Sequence, residues 1–232
     1  ATSASETLEP RRFYRRGSKV SLADVANEAI EDAGCVDKVI LMKRVGGNET
    51  ITATECRSWG RDIGRRSPRF DTVTLDSSHP SMLLYSSGTT GKPKGIVHTH
   101  AGLQMQPTKE IYFGFDHKES DLFFWVSDLG WLMGPWTLIG NHTLGGSVFL
   151  YEGAPDYPDP NRYWEMIDRH DINTFGISPT AIRTLQKRGI EWVDQHDLSS
   201  LRLLGSTGGP WDRESWMWFY EHVGGESTPI IN

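Results

Sequence analysis

The sequence predicts an α/β protein: a doubly wound, mostly parallel sheet with flanking helices, preceded by a smaller βαβ-like segment. Two observations predict this fold class. From residue 81 onward, short apolar runs alternate with helical stretches, and such alternation is typical of parallel sheets. The runs are apolar throughout, which indicates strands that are buried on both faces.

The elements of the larger part are predicted in order along the chain. The predicted strands cover 81–86, 122–126, 147–151, 173–177 and 201–205. The predicted helices lie near 98–110, 132–144, 159–170, 179–188 and 212–223. Ser178 before Pro179, and Asp212 further on, are placed to cap the helices that follow them. The predicted boundary between the two parts separates residues 1–75 from residues 76–232.

The first part combines a polar start with one helix and one strand. Residues 1–10 are polar and are predicted to be disordered. Apolar residues at helical spacing predict a helix over 22–33, with Ser21 as its cap, and 36–45 is predicted as a strand. Residues 46–78 are predicted to form an irregular connection with a short helix around 57–63. Five basic residues form a cluster: Arg11, Arg12, Arg15, Arg16 and Lys19. We interpret this cluster either as a contact for an anion or as a solvated surface.

Composition excludes several function classes. Hydrophobic residues make up 37% of the chain and charged residues 23%, as in soluble globular proteins, and the net charge of −6 argues against broad binding to nucleic acid or anionic membranes. No apolar run approaches the about 20 residues of a membrane span, and the start is not a signal peptide. Cys35 and Cys56 are isolated from each other in the sequence. We interpret them as reduced thiols of a cytoplasmic protein.

Two further patterns bear on possible chemistry. His98 and His100 are predicted to cap or pack the first turn of a helix, since residues two apart on a helix point in different directions. The scattered histidines form no zinc ligand set and no Ser-His-Asp arrangement, so no metal site is predicted. The chain starts at Ala1 and stops at Asn232 within a strand-like run, which we interpret as a piece of a longer protein.

The most informative segment is 85–95, Tyr-Ser-Ser-Gly-Thr-Thr-Gly-Lys-Pro-Lys-Gly. Its glycines allow a tight turn with exposed backbone N–H groups, which bind anions. Its hydroxyl groups supply further hydrogen-bond donors and its two lysines supply positive charge. The segment is therefore predicted to bind the phosphates of a nucleotide. The predicted phosphate-binding residues are Ser86, Ser87, Gly88, Thr89, Thr90, Gly91, Lys92 and Lys94.

This segment is not the P-loop of the large NTPase class. That pattern requires a glycine where Ser86 stands and a serine or threonine where Pro93 stands. The segment instead resembles, almost residue for residue, the phosphate loop of the AMP-forming, adenylate-forming enzymes. The resemblance extends from about residue 12 to the end and is closest to acetyl- or propionyl-CoA synthetases. Ordinary surface-loop packing is the alternative for the glycine-rich segment alone.

The resemblance implies roles for residues in three further segments. Asp121–Gly134 resembles a family segment that lines the acyl pocket, which implicates Trp131, Leu132 and Met133, together with Thr207; plain core packing is the alternative. Gly208, Gly209 and Pro210 match the adenine-contacting segment, although Gly209 replaces a glutamate of many relatives. Arg15 and Ser178 match positions near CoA, but Ser18 replaces the second arginine of the family.

The resemblance also implies a reaction. A short-chain carboxylic acid, ATP, CoA and Mg²⁺ would be used to form acyl-AMP and then a thioester. No complete catalytic set lies in this chain, because the family's Gly-Thr-Glu segment and C-terminal lid would follow Asn232, so these residues alone are expected not to turn over. Two alternatives stay open: a non-catalytic nucleotide-binding module, and a ligase for a medium-chain or aryl acid.

Overall fold

The computed structural model describes residues 6–10, 12–42, 50–86 and 91–232. The chain divides into two compact units, Ala1–Val73 and Thr74–Asn232. No helix in the described ranges is long and apolar enough to cross a membrane.

The first unit is a small parallel sheet with one packed helix and a hairpin. Its elements are β1 (Glu6–Pro10), β2 (Arg12–Arg15), β3 (Ser18–Ser21), α1 (Ala23–Ala33), β4 (Lys38–Met42), β5 (Glu55–Ser58) and a π-helical turn at Trp59–Ile63. Strands β1, β4 and β5 pair in parallel in that order, while β2 and β3 form the antiparallel hairpin. Helix α1 connects the hairpin to β4, so the predicted βαβ-like segment is present.

Two predictions for this unit are wrong. Residues 6–10 were predicted to be disordered, but they pair with β4 along its whole length. Ser21 does not cap α1, because it ends β3 opposite Arg12, and Leu22 occupies the N-cap position without a side-chain hydrogen bond. Helix α1 is held instead by burial, with Ala23 and Ile30 in an apolar cluster against β4.

The second unit contains an antiparallel hairpin and a doubly wound sheet. Its strands are β6 (Pro80–Ser86), β7 (Lys94–Thr99), β8 (Leu122–Trp125), β9 (Ser147–Val148), β10 (Thr174–Gly176), β11 (Leu203–Gly205) and β12 (Ile230–Ile231). Its helices are α2 (His100–Gly114), α3 (Met133–Thr143), α4 (Arg162–His170), α5 (Pro179–Gln186) and α6 (Arg213–Trp218), followed by a π-helical turn at Phe219–Val223.

Within the described residues, the main sheet has the strand order β12-β11-β10-β8-β9, and every neighbouring pair is parallel. The chain runs outward from β8 to β9 and then returns to the other side of β8 for β10. The strand order therefore reverses beside β8, and ligands of doubly wound folds bind at the carboxyl ends of the strands near such a reversal. The predicted fold class is confirmed.

The two faces of this sheet bury alternate residues of the same strands. Phe124, Phe175 and Leu204 point into a cluster formed with α4, α5 and α6. Phe123, Trp125 and Leu203 point to the opposite face, where α2 and α3 cover them. Because successive side chains of a strand alternate between faces, strands buried on both sides are apolar throughout.

The prediction for the first strand of this part is wrong in one respect. Residues 81–86 do form β6, but β6 pairs antiparallel with β7 in a separate two-stranded hairpin and not with the parallel sheet.

The segment around His98 was predicted to begin a helix, whereas Ile96, Val97 and Thr99 extend β7. β-Branched residues favour the strand, and α2 begins only at His100.

Three helices of this unit begin with a side-chain cap. Thr99 accepts a hydrogen bond from the Gly102 amide at the start of α2. Ser178 and Asp212 accept from Ala181 and Ser215 at the starts of α5 and α6, as predicted from the sequence. The bonds from the backbone and side chain of Ser215 lower the pKa of Asp212 to about 2.

Candidate functional site

An apolar cavity of about 520 Å³ lies at the carboxyl edge of the parallel sheet. Trp125 is the last residue of β8, Ser206 directly follows β11, and Ile231 ends β12, so three strand ends contribute to its wall. Helices α2 and α3 supply most of the remainder. The other lining residues are Lys109, Glu110, Phe113, Gly114, Phe115, Leu132, Met133, Trp136, Thr207 and Asn232.

The Trp125 ring lies across two glycines of the neighbouring strands. A Cβ atom at Gly176, the last residue of β10, would overlap this ring. A Cβ atom at Gly205, the last residue of β11, would come within 2.5 Å of it. Only glycine leaves room for an indole ring at this height above the sheet, so these two glycines determine where the wall of the cavity stands.

The polar groups of the cavity are few, as is usual for small-molecule sites. Glu110 accepts hydrogen bonds from Trp136 Nε1 at 2.7 Å and from Gln106, which fixes both its carboxylate and the indole of Trp136. Ser206 is 3% exposed, and its hydroxyl has no hydrogen-bond partner among the described residues. Ser206 therefore contributes an unpaired hydroxyl to the residues that line the cavity.

The residues predicted for the acyl pocket fall into two groups. Leu132, Met133 and Thr207 line the cavity together, whereas Trp131 is 62% exposed and does not line it. A tight turn precedes α3, since the Gly130 amide donates to Asp128 Oδ1 at 2.7 Å. Leu132 and Met133 then begin the helix that faces α2, which brings them to the cavity.

The residues predicted to contact adenine form an exposed turn after β11. Gly208 has φ +93°, a backbone conformation that favours glycine, and a Cβ atom at Gly208 or Gly209 would meet no other atom within 4 Å. Arg183 of α5 donates to the Pro210 carbonyl at 3.4 Å and to Asp212 at 3.1 Å. This pair of bonds holds the end of the turn against α5.

Of the predicted phosphate-binding residues, Ser86, Gly91, Lys92 and Lys94 belong to the tip of the β6–β7 hairpin, which is a sheet separate from the parallel one. Ser86 pairs with Lys94 as the last step of the hairpin, and Gly91 (φ +98°), Lys92 and Lys94 are exposed. Neither lysine forms an ion pair with a carboxylate of the described ranges. Ser87, Gly88, Thr89 and Thr90 lie outside the described residues.

The start of α2 is not available to an anion, although it follows this hairpin directly. The amides of His100 and Ala101 donate to the carbonyls of His79 and Ser77 at 3.1 and 2.9 Å, and the Gly102 amide is bonded to Thr99. Phosphate binding would thus depend on the hairpin tip itself. His98 and His100 were predicted to cap or pack the first turn of a helix; His98 lies on β7, His100 is the first residue of α2, and the cap is the side chain of Thr99.

The two residues predicted near CoA are placed on different units. Arg15 ends β2 in the first unit and is exposed, while Ser178 caps α5 directly after β10 in the second. Within the described part of the chain, no three His, Cys, Asp or Glu side chains come together as a metal site.

Several cavity residues were not predicted from the sequence. Trp125 could have been found, because it stands at the end of a strand on the same face as Phe123. Gly176 and Gly205 at the ends of two neighbouring strands were a further signal. Lys109, Glu110 and Trp136 carry no pattern that separates them from other helix residues, and only the packing of α2 against α3 brings them to the cavity.

Residues 13–232 match the sequence profile of the family described as AMP-binding enzyme. The chain belongs to this family. The resemblance predicted from the glycine-rich segment is confirmed, and the family covers both units of the chain except for the first residues.

Relatives of the AMP-binding chain are similar over nearly all of it. The acetyl-coenzyme A synthetase of Chlorobaculum tepidum is 43% identical over 220 residues, which cover 94% of this chain and 33% of that protein. The acetyl-coenzyme A synthetase of Methanothrix soehngenii is 41% identical over 221 residues, 95% of this chain and 33% of that protein. The chain therefore spans about a third of the length of the curated relatives it matches.

One solved structure shows the same fold. The acetoacetyl-CoA synthetase from Streptomyces lividans superposes with a TM-score of 0.84 at 23% identity, over 99% of this chain and 35% of that chain.

Proposed function

We propose that this AMP-binding chain forms the nucleotide- and acyl-binding part of an acyl-CoA synthetase. In the proposed reaction, a carboxylate oxygen attacks the α-phosphate of ATP, pyrophosphate leaves and acyl-AMP forms. The CoA thiol then attacks the acyl carbonyl, AMP leaves and the thioester remains. The observation that carries the proposal is the apolar cavity at the carboxyl edge of a doubly wound sheet, in a chain of this family.

The hairpin tip is the proposed site of the ATP phosphates. Attack of a carboxylate on a phosphate brings two anions together, so positive charge and N–H donors near the phosphates are the main contribution a protein can make. Exposed Lys92 and Lys94 supply the charge, and Ser86 at the end of β6 pairs with Lys94 at the start of β7. Mg²⁺ bound to the phosphates is part of the proposal. It would supply further charge neutralisation.

The remaining contacts of the proposal rest on the resemblance of each segment to the family. Adenine is proposed to contact the backbone of Gly208, Gly209 and Pro210, which the exposed turn leaves open. The acyl group is proposed to enter the cavity beside Leu132 and Met133, and CoA to contact Arg15 and Ser178. Cys35 and Cys56 are free thiols, in keeping with the reducing cytoplasm that we propose for this protein.

The test is exchange of labelled pyrophosphate into ATP by the whole protein, with and without added carboxylic acids. We expect acid-dependent exchange, and we expect Lys92→Gln and Lys94→Gln each to reduce it by tenfold or more, since one lost donor to developing charge costs on the order of 3 kcal/mol. Lys187→Gln, a change at an exposed lysine just after α5, is the matched control and should leave exchange unchanged.

The outcomes separate the proposal from its main alternative. ATP binding without exchange for any acid would indicate a nucleotide-binding module without the chemistry. Exchange that the two hairpin lysines do not affect would place the phosphates elsewhere. Exchange that short-chain acids support best would favour the proposed short-chain ligase, whereas exchange that requires a medium-chain or aryl acid would favour the alternative ligase.

A further inference from the structure

We propose that Arg183 is a positioning residue for the nucleotide: it holds the β11–α6 turn (residues 207–210) in the conformation that contacts adenine. The inference rests on the proposed function, which assigns adenine to this turn. Arg183 lies on α5 and not in the turn, and the resemblance to the family implied no role for it.

The guanidinium group of Arg183 joins three segments that follow neighbouring strands of the sheet. Its Nη1 donates to the Pro210 carbonyl at 3.4 Å and to Asp212 Oδ2 at 3.1 Å, and its Nη2 donates to Thr180 Oγ1 at 3.2 Å. Thr180 belongs to the first turn of α5, Pro210 to the β11–α6 turn and Asp212 to the cap of α6. Because the guanidinium is planar and its donors have a fixed geometry, these bonds together set the position of the turn relative to both helices.

Asp212 gives this side chain a fixed and charged partner. The carboxylate of Asp212 accepts hydrogen bonds from the backbone and the side chain of Ser215 at 2.8 and 2.9 Å. These bonds, to which the bond from Arg183 adds, lower the pKa of Asp212 to about 2. The carboxylate is therefore ionised at neutral pH, and its hydrogen bond with Arg183 is charge-assisted.

Few other contacts hold the shape of the β11–α6 turn. Within the described part of the chain, residues 207–210 form no backbone–backbone hydrogen bond, and the Pro210 carbonyl accepts from Arg183 alone. Gly208 and Gly209 lie in the middle of this span, and glycine leaves the backbone the widest range of conformations. A ligand loses affinity when its binding has to order a loop, so a contact that orders the loop beforehand strengthens binding.

The experiment measures how AMP and inorganic tripolyphosphate inhibit acid-dependent pyrophosphate exchange by the whole protein. AMP carries adenine, whereas tripolyphosphate carries phosphates alone. For Arg183→Gln we expect the inhibition constant of AMP and the KM for ATP to rise by about two- to tenfold, the range for one lost hydrogen bond. The inhibition constant of tripolyphosphate and the KM for the acid should stay unchanged, because neither ligand contacts the turn.

Two further variants separate positioning from charge and from general loss of an ion pair. Arg183→Lys keeps the positive charge, but one ammonium group cannot bond to three separated partners, so AMP inhibition should weaken as in Arg183→Gln. Arg162→Gln is the matched control, because the side chains of Arg162 and Arg183 are both 36% exposed and Arg162 pairs with Glu165 at 3.1 Å on α4. This control should keep all the wild-type constants.

The possible outcomes are distinct. A wild-type protein without acid-dependent exchange overturns the proposed function, and the inference with it. Wild-type exchange together with unchanged AMP inhibition in Arg183→Gln overturns only the inference. Equal weakening of AMP and tripolyphosphate, or full recovery in Arg183→Lys, would show that Arg183 acts through its charge and would also overturn it. If Arg183→Gln does not fold, the same comparison of the two inhibitors in Arg183→Lys decides the question.

Discussion

Two buried serines of the second unit show how differently a hydroxyl can be used. Ser215 is 2% exposed and donates to the carboxylate of Asp212, which completes the cap of α6. Ser206 is 3% exposed and has no partner within the described residues. A buried polar group without a partner is unfavourable for folding, because it loses its hydrogen bonds to water and gains none in the protein.

This contrast gives a prediction on stability. Ser206→Ala should leave the free energy of unfolding unchanged or raise it by up to about 1 kcal/mol, because it removes an unsatisfied hydroxyl. Ser215→Ala, at equal burial, should lower it by about 1 kcal/mol through loss of the bond to Asp212. Urea denaturation of both variants measures the difference. Equal losses would show that Ser206 has a partner in the folded chain.

At the scale of elements, the close approach of α2 and α3 forms one side of the cavity. A Cβ atom at Gly140 of α3 would come within 2.6 Å of Ile111 and 3.0 Å of the Pro107 backbone, both in α2. The glycine therefore sets the distance between the two helices. The sequence predicted both helices, but the contact between them depends on a single residue without a side chain.

Gly140→Ala should accordingly separate α2 from α3. We expect the free energy of unfolding to fall by about 1 to 3 kcal/mol, as for other overpacked sites. Gly114→Ala is the control within α2, because a Cβ atom there meets nothing within 4 Å, and it should cause no loss. Thermal denaturation compares them. A Gly140→Ala protein as stable as Gly114→Ala would mean that the helices do not approach as described.

At the scale of the whole molecule, stability should depend on pH through His117. This histidine is buried between α2 and β8, and a Cβ atom at Gly146 would overlap its ring. Burial lowers the pKa of His117, while the carboxylate of Asp121 opposes this shift in part and Arg202 and Lys118 add to it. The imidazole of His117 is therefore protonated at a lower pH in the folded protein than in the unfolded chain.

The sign of the effect follows from linkage. A lowered pKa in the folded state stabilises the protein fully above the unfolded-state pKa of about 6.5, and this stability is lost as the pH falls below it. Urea unfolding at pH 7.5 and 5.5 should show a loss for the wild type that is smaller in His117→Leu. His142→Gln, at an exposed position of α3, should keep the wild-type loss. An unchanged loss in His117→Leu would contradict the prediction.

The sequence by itself determined the fold class, the family and most of the elements. The apolar runs, the amphipathic stretches between them and the caps at Ser178 and Asp212 are local patterns. Each can be recognised within its own segment of the sequence. The glycine-rich segment around Gly91 identified the family for the same reason, since its residues are contiguous. The β6–β7 hairpin was missed because residues 81–86 were assigned to the parallel sheet and no strand was predicted over Lys94–Thr99.

Only the tertiary structure decided which residues share the cavity. Trp125, Gly176 and Gly205 come from three strands that are neighbours in space and distant in the sequence. No local pattern predicts that Gly176 and Gly205 leave room for the indole ring of Trp125. The ring lies over the two glycines only when the three strands are paired in register. Pairing over long sequence distances therefore fixes the shape of the site, and local patterning fixes the elements that build it.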